Sequence, residues 1–431
     1  MRYDLQLLST KGLVLNPLWP MAGRVPVNDH NFSPRVGLAY SIGNDRPLVI
    51  RGGWGVFYPR IPQLYLSTIA TQNGINSTNL FLDNMNFYGR QIFPTFPNPL
   101  VACEPSASVC APTSSAVAHL SSDISAFAPN FEAPRVQQAS LTLEREVANR
   151  MAVGVSLLHV HGENLIRARD VNLPPPTDVT YPVFDESGFS QVGTYDVPTF
   201  STWQMTRSLT CPFPPCINPL ARPVAQLGAI NQFESVATSD YNAATVSVHR
   251  RMTRGLYFRL AYTWAKALDN GQDALVAGRP VTVQNSYSTA SERGPSVTDQ
   301  RNRIAFSWIA APRPFGREHD FLGKLFDDWK LAGVMTYGSG RPLDARVSGD
   351  PNQDDNSTND RLPGYTRNAF QGPDYATTDL RITRRLRLKR LKLSAERLSL
   401  MRAPRDNQRV TITDDGFQNM AGQFTKLSKT L

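Results

Sequence analysis

The sequence has no apolar run of the about 18 to 20 residues that a membrane-crossing helix needs. It opens Met1-Arg2-Tyr3-Asp4-Leu5-Gln6, with a carboxylate and an amide where the apolar core of a cleavable leader would begin. The opening reads as the inside of a strand, and the expectation is that upstream sequence is missing. Catalytic signatures are lacking too: there is no H-E-x-x-H, no G-x-S-x-G and no G-x-x-x-x-G-K-[ST]. The 6 histidines are scattered, with His159 and His161 at strand spacing and no cysteine or carboxylate pattern beside them. The carboxylate pairs Asp327/Asp328 and Asp414/Asp415 fall in turn-like segments. No general acid or base can be set next to a nucleophile, so no enzyme is expected.

Cysteine is scarce, with 4 residues in two close pairs, Cys103/Cys110 and Cys211/Cys216. Both pairs lie in Pro- and Ser-rich segments, and Cys211-Pro212-Phe213-Pro214-Pro215-Cys216 is too stiff to be an incidental spacing. Local loop disulfides, formed in an oxidising exterior, are the favoured reading. A joint four-thiolate metal site is the alternative, although C-x-x-C spacing is missing. Negative charge is in deficit: the formal net charge is +9, and the isoelectric point is near 9.5. The arginines are mostly dispersed, with one cluster from Arg381 to Lys392. Such clusters usually sit on solvated turns or beside anionic lipid headgroups, and no nucleic-acid partner is expected.

Alternation is what the chain has in abundance. Leu48, Ile50, Gly52, Trp54, Val56 and Tyr58 fall on one face of a strand, with Val49, Arg51, Gly53, Gly55 and Phe57 on the other. Val36, Leu38, Tyr40 and Ile42 oppose Arg35, Gly37, Ala39 and Ser41, and Gly43-Asn44-Asp45-Arg46-Pro47 is the turn between the two strands. The pattern returns at Leu141/Leu143, Val153/Val155/Leu157, Val246/Val248 and Leu256/Phe258/Leu260/Tyr262/Trp264. It is weaker at Ile304/Phe306/Trp308, Trp329/Leu331/Met335, Leu380/Ile382 and Leu391/Leu393. With the opening Arg2 to Leu7 segment this gives about eleven strands of roughly nine to eleven residues, the length that crosses a bilayer when tilted.

The connections sort by length. Short turns (43–47, 148–150, 252–255, 386–390) alternate with long polar stretches (9–34, 59–134, 161–239, 268–300, 339–375), and 312–328 is longer than its class predicts. Short connections at one rim and long ones at the other are the plan of a bacterial outer-membrane barrel, and a soluble sandwich has no reason to segregate loops this way. Trp54, Tyr58, Tyr262, Trp264, Phe306 and Trp308 lie on the apolar face, as rings at headgroup level would. The opposite face carries Gly, Ala, Ser, Thr and single arginines. Arg51, Arg259 and Arg303 therefore read as residues of a wet lumen and ligand path, with no particular ligand implied.

Several segments resemble a known family. Asn31-Phe32-Ser33-Pro34-Arg35-Val36-Gly37-Leu38-Ala39-Tyr40 and Val49-Ile50-Arg51-Gly52-Gly53-Trp54-Gly55-Val56-Phe57-Tyr58 are similar to the barrel of Oar-like TonB-dependent outer-membrane receptors. So are Pro134-Arg135-Val136-Gln137-Gln138, Leu141-Thr142-Leu143-Glu144-Arg145, Asp240-Tyr241-Asn242-Ala243-Ala244, Tyr262-Thr263-Trp264-Ala265-Lys266-Ala267-Leu268-Asp269 and Tyr337-Gly338-Ser339-Gly340-Arg341-Pro342. The likeness covers residues 1–407 and leaves 408–431 as a poorly patterned tail. It implies an all-β, antiparallel transmembrane β-barrel in a Gram-negative outer membrane, in contact with lipid and lipopolysaccharide. In the whole family protein such a barrel imports a bulky ligand, driven by the TonB complex acting on a plug.

That plug, the TonB-box and the signal peptide have no counterpart here, and about half of a barrel of about 22 strands is expected, not functional alone. Arg397 stands where a late family strand is usually apolar, and the chain ends Leu427-Ser428-Lys429-Thr430-Leu431 rather than on an aromatic residue. The rival reading is a secreted all-β carbohydrate-binding or adhesion protein whose long loops form the recognition surface.

One loop carries a possible ion site. Asp350, Asn352 and Asp354 place oxygens at alternate positions, as at the start of a calcium loop. Asp355 stands where such a loop uses Gly, and Arg361 where a bidentate Glu would close it. A solvated loop is the competing expectation, and no other cofactor is implied.

Overall fold

The alternating segments form strands joined edge to edge in chain order. In the computed structural model, described residues are 2–3, 5, 13–26, 29, 31–75, 86–87, 90–91, 93–94, 101–103, 110–112, 122–184, 190–206, 216–219, 222–271, 275–276, 279–311, 329–347, 349–356, 358–384, 400–404 and 424–425. The strands are β1 (Arg35–Ile42), β2 (Leu48–Phe57), β3 (Arg135–Ala148), β4 (Met151–Asp170) and β5 (Leu227–Thr253). They continue as β6 (Leu256–Asp269), β7 (Asn302–Ala310), β8 (Trp329–Gly338), β9 (Tyr375–Arg384) and β10 (Leu400–Pro404). Each pairs antiparallel with the next. Two short strands complete a 12-stranded sheet: Ser122–Phe127 runs parallel to β5, and Gly294–Pro295 runs antiparallel to β6. Among the described residues the sheet does not close into a full barrel.

Register is fixed by tight turns at one rim. Thr253 and Leu256 are partners across Arg254 and Gly255, whose φ values of 50° and 76° are the left-handed pair that a two-residue hairpin requires. Because direct partners share a face, the register extends each strand's alternation across the sheet. Tyr40, Ile50, Leu143, Val155, Val246, Tyr262, Ile304 and Tyr337 form one continuous row. Below it Val153, Val248, Leu260, Phe306 and Met335 form another. These side chains are not a hidden core: Leu38 is 70 % exposed, Tyr40 62 %, Trp264 53 % and Val246 45 %. A contiguous apolar face of this extent left open to water would drive aggregation, whereas against hydrocarbon it is stable.

The packed core lies beyond the belt, at the long-loop rim. Ile61, Leu66, Ile69, Phe127, Phe131, Ala168, Phe233 and Leu275 form one cluster, and Ala22, Ile124, Leu227 and Ile230 form a second. Phe127 packs on Phe131 with ring centres 4.6 Å apart. Helix α1 (Gln63–Thr71) supplies Leu66 and Ile69.

The structure corrects the sequence reading in three places. The stretch 161–239 is not all loop, because β4 runs on to Asp170 and β5 begins at Leu227. Apolar alternation fades there because the ladder is irregular between Gly162 and Ile166, and because charged side chains such as Arg169 and Glu234 satisfy each other. The stretch 59–134 holds α1 and the parallel strand Ser122–Phe127. The expected opening strand is reduced to Arg2–Tyr3, which pairs with Phe32–Ser33 outside the main sheet. The expected strand at Leu391/Leu393 lies outside the described residues, as does most of the 408–431 tail.

The belt predicts an asymmetric response to charge. Val246→Arg, in the middle of the apolar rows, is expected to cost about 2–4 kcal/mol of folding stability in lipid vesicles, as arginine does at a bilayer midplane. Thr245→Arg, one residue along on the other face, is expected to cost far less; denaturant titration of the two variants in the same vesicles measures the difference.

Candidate functional site

The face opposite the belt is the first element of the site. One of its rows runs Ala39, Arg51, Thr142, Ser156, Thr245, Thr263, Arg303 and Gly338. Hydroxyls pair across it, Thr142 with Ser156 at 3.1 Å and Thr245 with Thr263 at 2.9 Å. Arg51 bridges to Glu144 at 3.0 Å, with both side chains well exposed, so the bridge orients Arg51 more than it stabilises the sheet. Arg259 lies in another row of the same face, between His249 and Ser307. The register thus sets all three sequence-predicted arginines on one hydrophilic wall, with Arg51 and Arg303 in a single row.

Above the aromatic residues the belt face turns polar. His159 contacts Asn242 at 2.7 Å, His161 contacts Asp240 at 2.6 Å, and Arg293 also pairs with Asp240. This change marks the upper limit of the apolar belt, one row beyond Trp264 and its partner Ala244.

The second element is a buried polar junction among the long connections. Arg222 donates to the Asp170 carboxylate at 2.8 Å and to the Asp354 carbonyl at 3.1 Å. Asp170 also accepts the Asn172 and Ile230 amides, each at 2.9 Å. Arg361 forks onto Glu292 at 2.7 and 3.1 Å, with both side chains at most 2 % exposed. Arg367 donates to the Glu292 carbonyl at 3.1 Å and pairs with Asp269. Charges this deeply placed are costly unless paired, and these pairs tie the loops to one another.

The stretch from Asp350 to Arg361 is the hub of that junction. Its carbonyls accept the Phe200 amide, the Thr202 amide and hydroxyl, and the Tyr181 hydroxyl. Its asparagines reach the other way, Asn352 to the Gln284 carbonyl, Asn356 to the Thr282 hydroxyl and Asn359 to the Val283 carbonyl. Two long connections therefore meet on a segment of a third. Asp350, Asn352 and Asp354 do come together: the Asp354 amide donates to both Asp350 and Asn352 at 3.1 Å. Asp355 takes φ 74°, the turn a glycine would make, and Arg361, facing Glu292, does not close the loop.

Sequence reasoning missed Asp360, 0 % exposed, and the partners Glu292 and Arg222. Only the adjacency of Asp360 to Arg361 could have pointed to it. Among the described residues, no group of three or more His, Cys, Asp or Glu side chains is arranged to hold a metal ion. Of the cysteines, Cys103 and Cys110 are opposed partners in a short antiparallel pairing, and Cys216 opposes Thr206, while Cys211 lies outside the described residues.

Burial pushes carboxyls in these loops upward. Asp354 and Asp360 are raised well above the ordinary value, first by burial and then by neighbouring carboxylates. Asp123, whose carboxylate accepts the Ala229 amide at 2.7 Å, is raised by burial to about 7.

An antiparallel sheet with one lipid-compatible face, one hydrophilic wall and connections sorted by length defines an outer-membrane β-barrel protein. Residues 2–374 match the family described as outer membrane beta barrel domain, and the chain belongs to that family. Its place is the Gram-negative outer membrane. Among solved structures it is similar to the outer membrane transporter YddB from Escherichia coli, at 9 % identity and a TM-score of 0.37, over 79 % of this chain and 34 % of that one. It is also similar to the siderophore receptor PirA from Acinetobacter baumannii, at 9 % identity and a TM-score of 0.38, over 84 % and 35 %. A third is the FrpB iron transporter from Neisseria meningitidis, at 9 % identity and a TM-score of 0.36, over 82 % and 32 %. The chain spans about a third of the length of these structures. No curated protein matches it.

The raised Asp123 sets a pH dependence. A carboxyl that holds its proton more tightly when folded contributes most at low pH, and that contribution fades as pH rises from about 4 through about 7. Hydrogen-exchange protection at the Ala229 amide, corrected for intrinsic rate, is expected to fall across that window. In Asp123→Asn the amide should show a flatter profile.

Proposed function

We propose that the chain forms part of the barrel wall of a TonB-dependent receptor, in which the tied long loops capture a bulky ligand outside the cell and the hydrophilic wall lines its path inward. The observation that carries this reading is the register, which turns one face into an unbroken lipid belt and gathers Arg51 and Arg303 in one row of the other. Arginines on a wet wall remain ionised at little cost and favour anionic or strongly polar groups passing by. Energy would come from the TonB complex through a plug contributed by other parts of the whole protein, as the family resemblance implies. Lipid and lipopolysaccharide would surround the belt.

The secreted-binder alternative has no use for so large an exposed apolar face. Fractionation of Gram-negative cells producing the chain separates the two. The chain is expected in the outer-membrane fraction after a carbonate wash, with protease added to intact cells cutting in the long connections and sparing the 254–255 turn. Recovery as a soluble protein, or cleavage from outside at that turn, contradicts the proposal.

A further inference from the structure

The Asp350–Asp360 segment is the least comfortable part of the loop junction. Asp360 is 0 % exposed, and neither of its carboxylate oxygens has a hydrogen-bond partner. The buried Oδ1 of its neighbour Asn359 has none either. Two more carboxylates of the same loop, Asp354, 4 % exposed, and Asp350, add negative charge to the surroundings of Asp360. The cations nearby point elsewhere: Arg361 is taken up by Glu292, and Arg346 donates to the Thr358 carbonyl. Arg222 is held by Asp170 and the Asp354 carbonyl. Asp350 and Asp354 are each held by two donors, the Asp354 and Asp355 amides on one and the Asn356 amide and Asn359 side chain on the other. Asp360 has none, and a buried carboxylate with no donor is costly to keep ionised beside two other carboxylates. Such a cluster calls for a cation.

The available donors say which kind. They are all oxygens, with neither thiolate nor imidazole among them, which suits a hard ion. The backbone has the required winding, with φ 53° at Gln353 and φ 74° at Asp355. The carboxylates and the Asn352 amide are spread along one loop rather than fixed in an octahedron, and this tolerance favours calcium over magnesium.

We propose that the Asp350–Asp360 loop binds one calcium ion through Asp350, Asn352, Asp354 and Asp360, locking its own long connection to the two that converge on it. Because side chains alone do not already converge at coordination distance, the ion draws the loop closed and recruits carbonyl oxygens or water. Calcium thereby sets the shape of the long-loop rim. This goes beyond the transport reading and stands on the loop itself, so the two can fail separately.

The test uses the full chain, purified in detergent and stripped with a chelator, with calcium and magnesium as the probes. Calorimetry is expected to show one calcium per chain, at the roughly 0.1–1 mM affinity usual for extracellular sites. Cleavage within 339–374 should slow by about tenfold at calcium about ten times the dissociation constant, and not with equal magnesium. Asp360→Asn is expected to lose the calcium response and yet, in chelator, to be cleaved more slowly than the unaltered chain, because the orphaned charge is gone. A mere structural role for Asp360 would leave the calcium response intact in that variant. The proposal is overturned by that result, or by a folded chain that takes up no calcium at several millimolar.

Discussion

The strands that make up the belt are constrained by the backbone amide in hydrocarbon. An unpaired N–H or C=O there costs several kcal/mol, so a chain can cross only as a helix or as strands each bonded on both sides. Consecutive antiparallel pairing from β1 to β10 meets this demand between strands that follow one another in the sheet. It also explains the register rows, because a slip of one residue would move Val246 into the wet wall and Thr245 into lipid. At the two ends of the sheet, β1 and β10 each have one partner among the described residues. Further pairing at those edges is what a membrane-embedded sheet demands.

The same constraint divides the molecule's stabilising interactions between two places. In the belt, apolar side chains gain from lipid and need little packing against one another. At the long-loop rim water returns, and order comes from conventional means: a core around Phe127, Phe131 and Phe233, and ion pairs such as Arg361–Glu292 sealed from solvent. In the proposed role of ligand capture, loops that are already ordered would lose less affinity to ordering entropy. The ties of Tyr181, Phe200, Thr202 and residues 282–284 to the 350–361 segment would limit that loss.

The barrel strands were legible because lipid on one side and water on the other impose a strict two-residue period, and the sorting of connections by length set this apart from the same period in a soluble sandwich. Leu256 to Trp264 could be assigned to a face from the sequence, and so could Arg259 and Arg303. The long connections obey no such rule. β4 and β5 continue past the belt in residues whose polarity suggested loop, since Arg169 and Glu234 answer each other across strands far apart in the chain. The Asp350–Asp354 oxygens were visible from spacing. Asp360, the residue that makes the cluster chemically demanding, was hidden because the contacts that place its two neighbours, Asn359 with Val283 and Arg361 with Glu292, join residues far apart in the chain.

The decisive measurement is a spin-label scan from Tyr241 to His249 on β5 in lipid vesicles, one cysteine at a time on a background without native cysteines. The account predicts that collision with lipid-soluble oxygen and with a water-soluble nickel reagent alternates residue by residue, oxygen dominating at Ala244, Val246 and Val248 and nickel at Ala243, Thr245 and Ser247. A uniform profile along the strand, or nickel access at Val246 equal to that at Thr245, would contradict it.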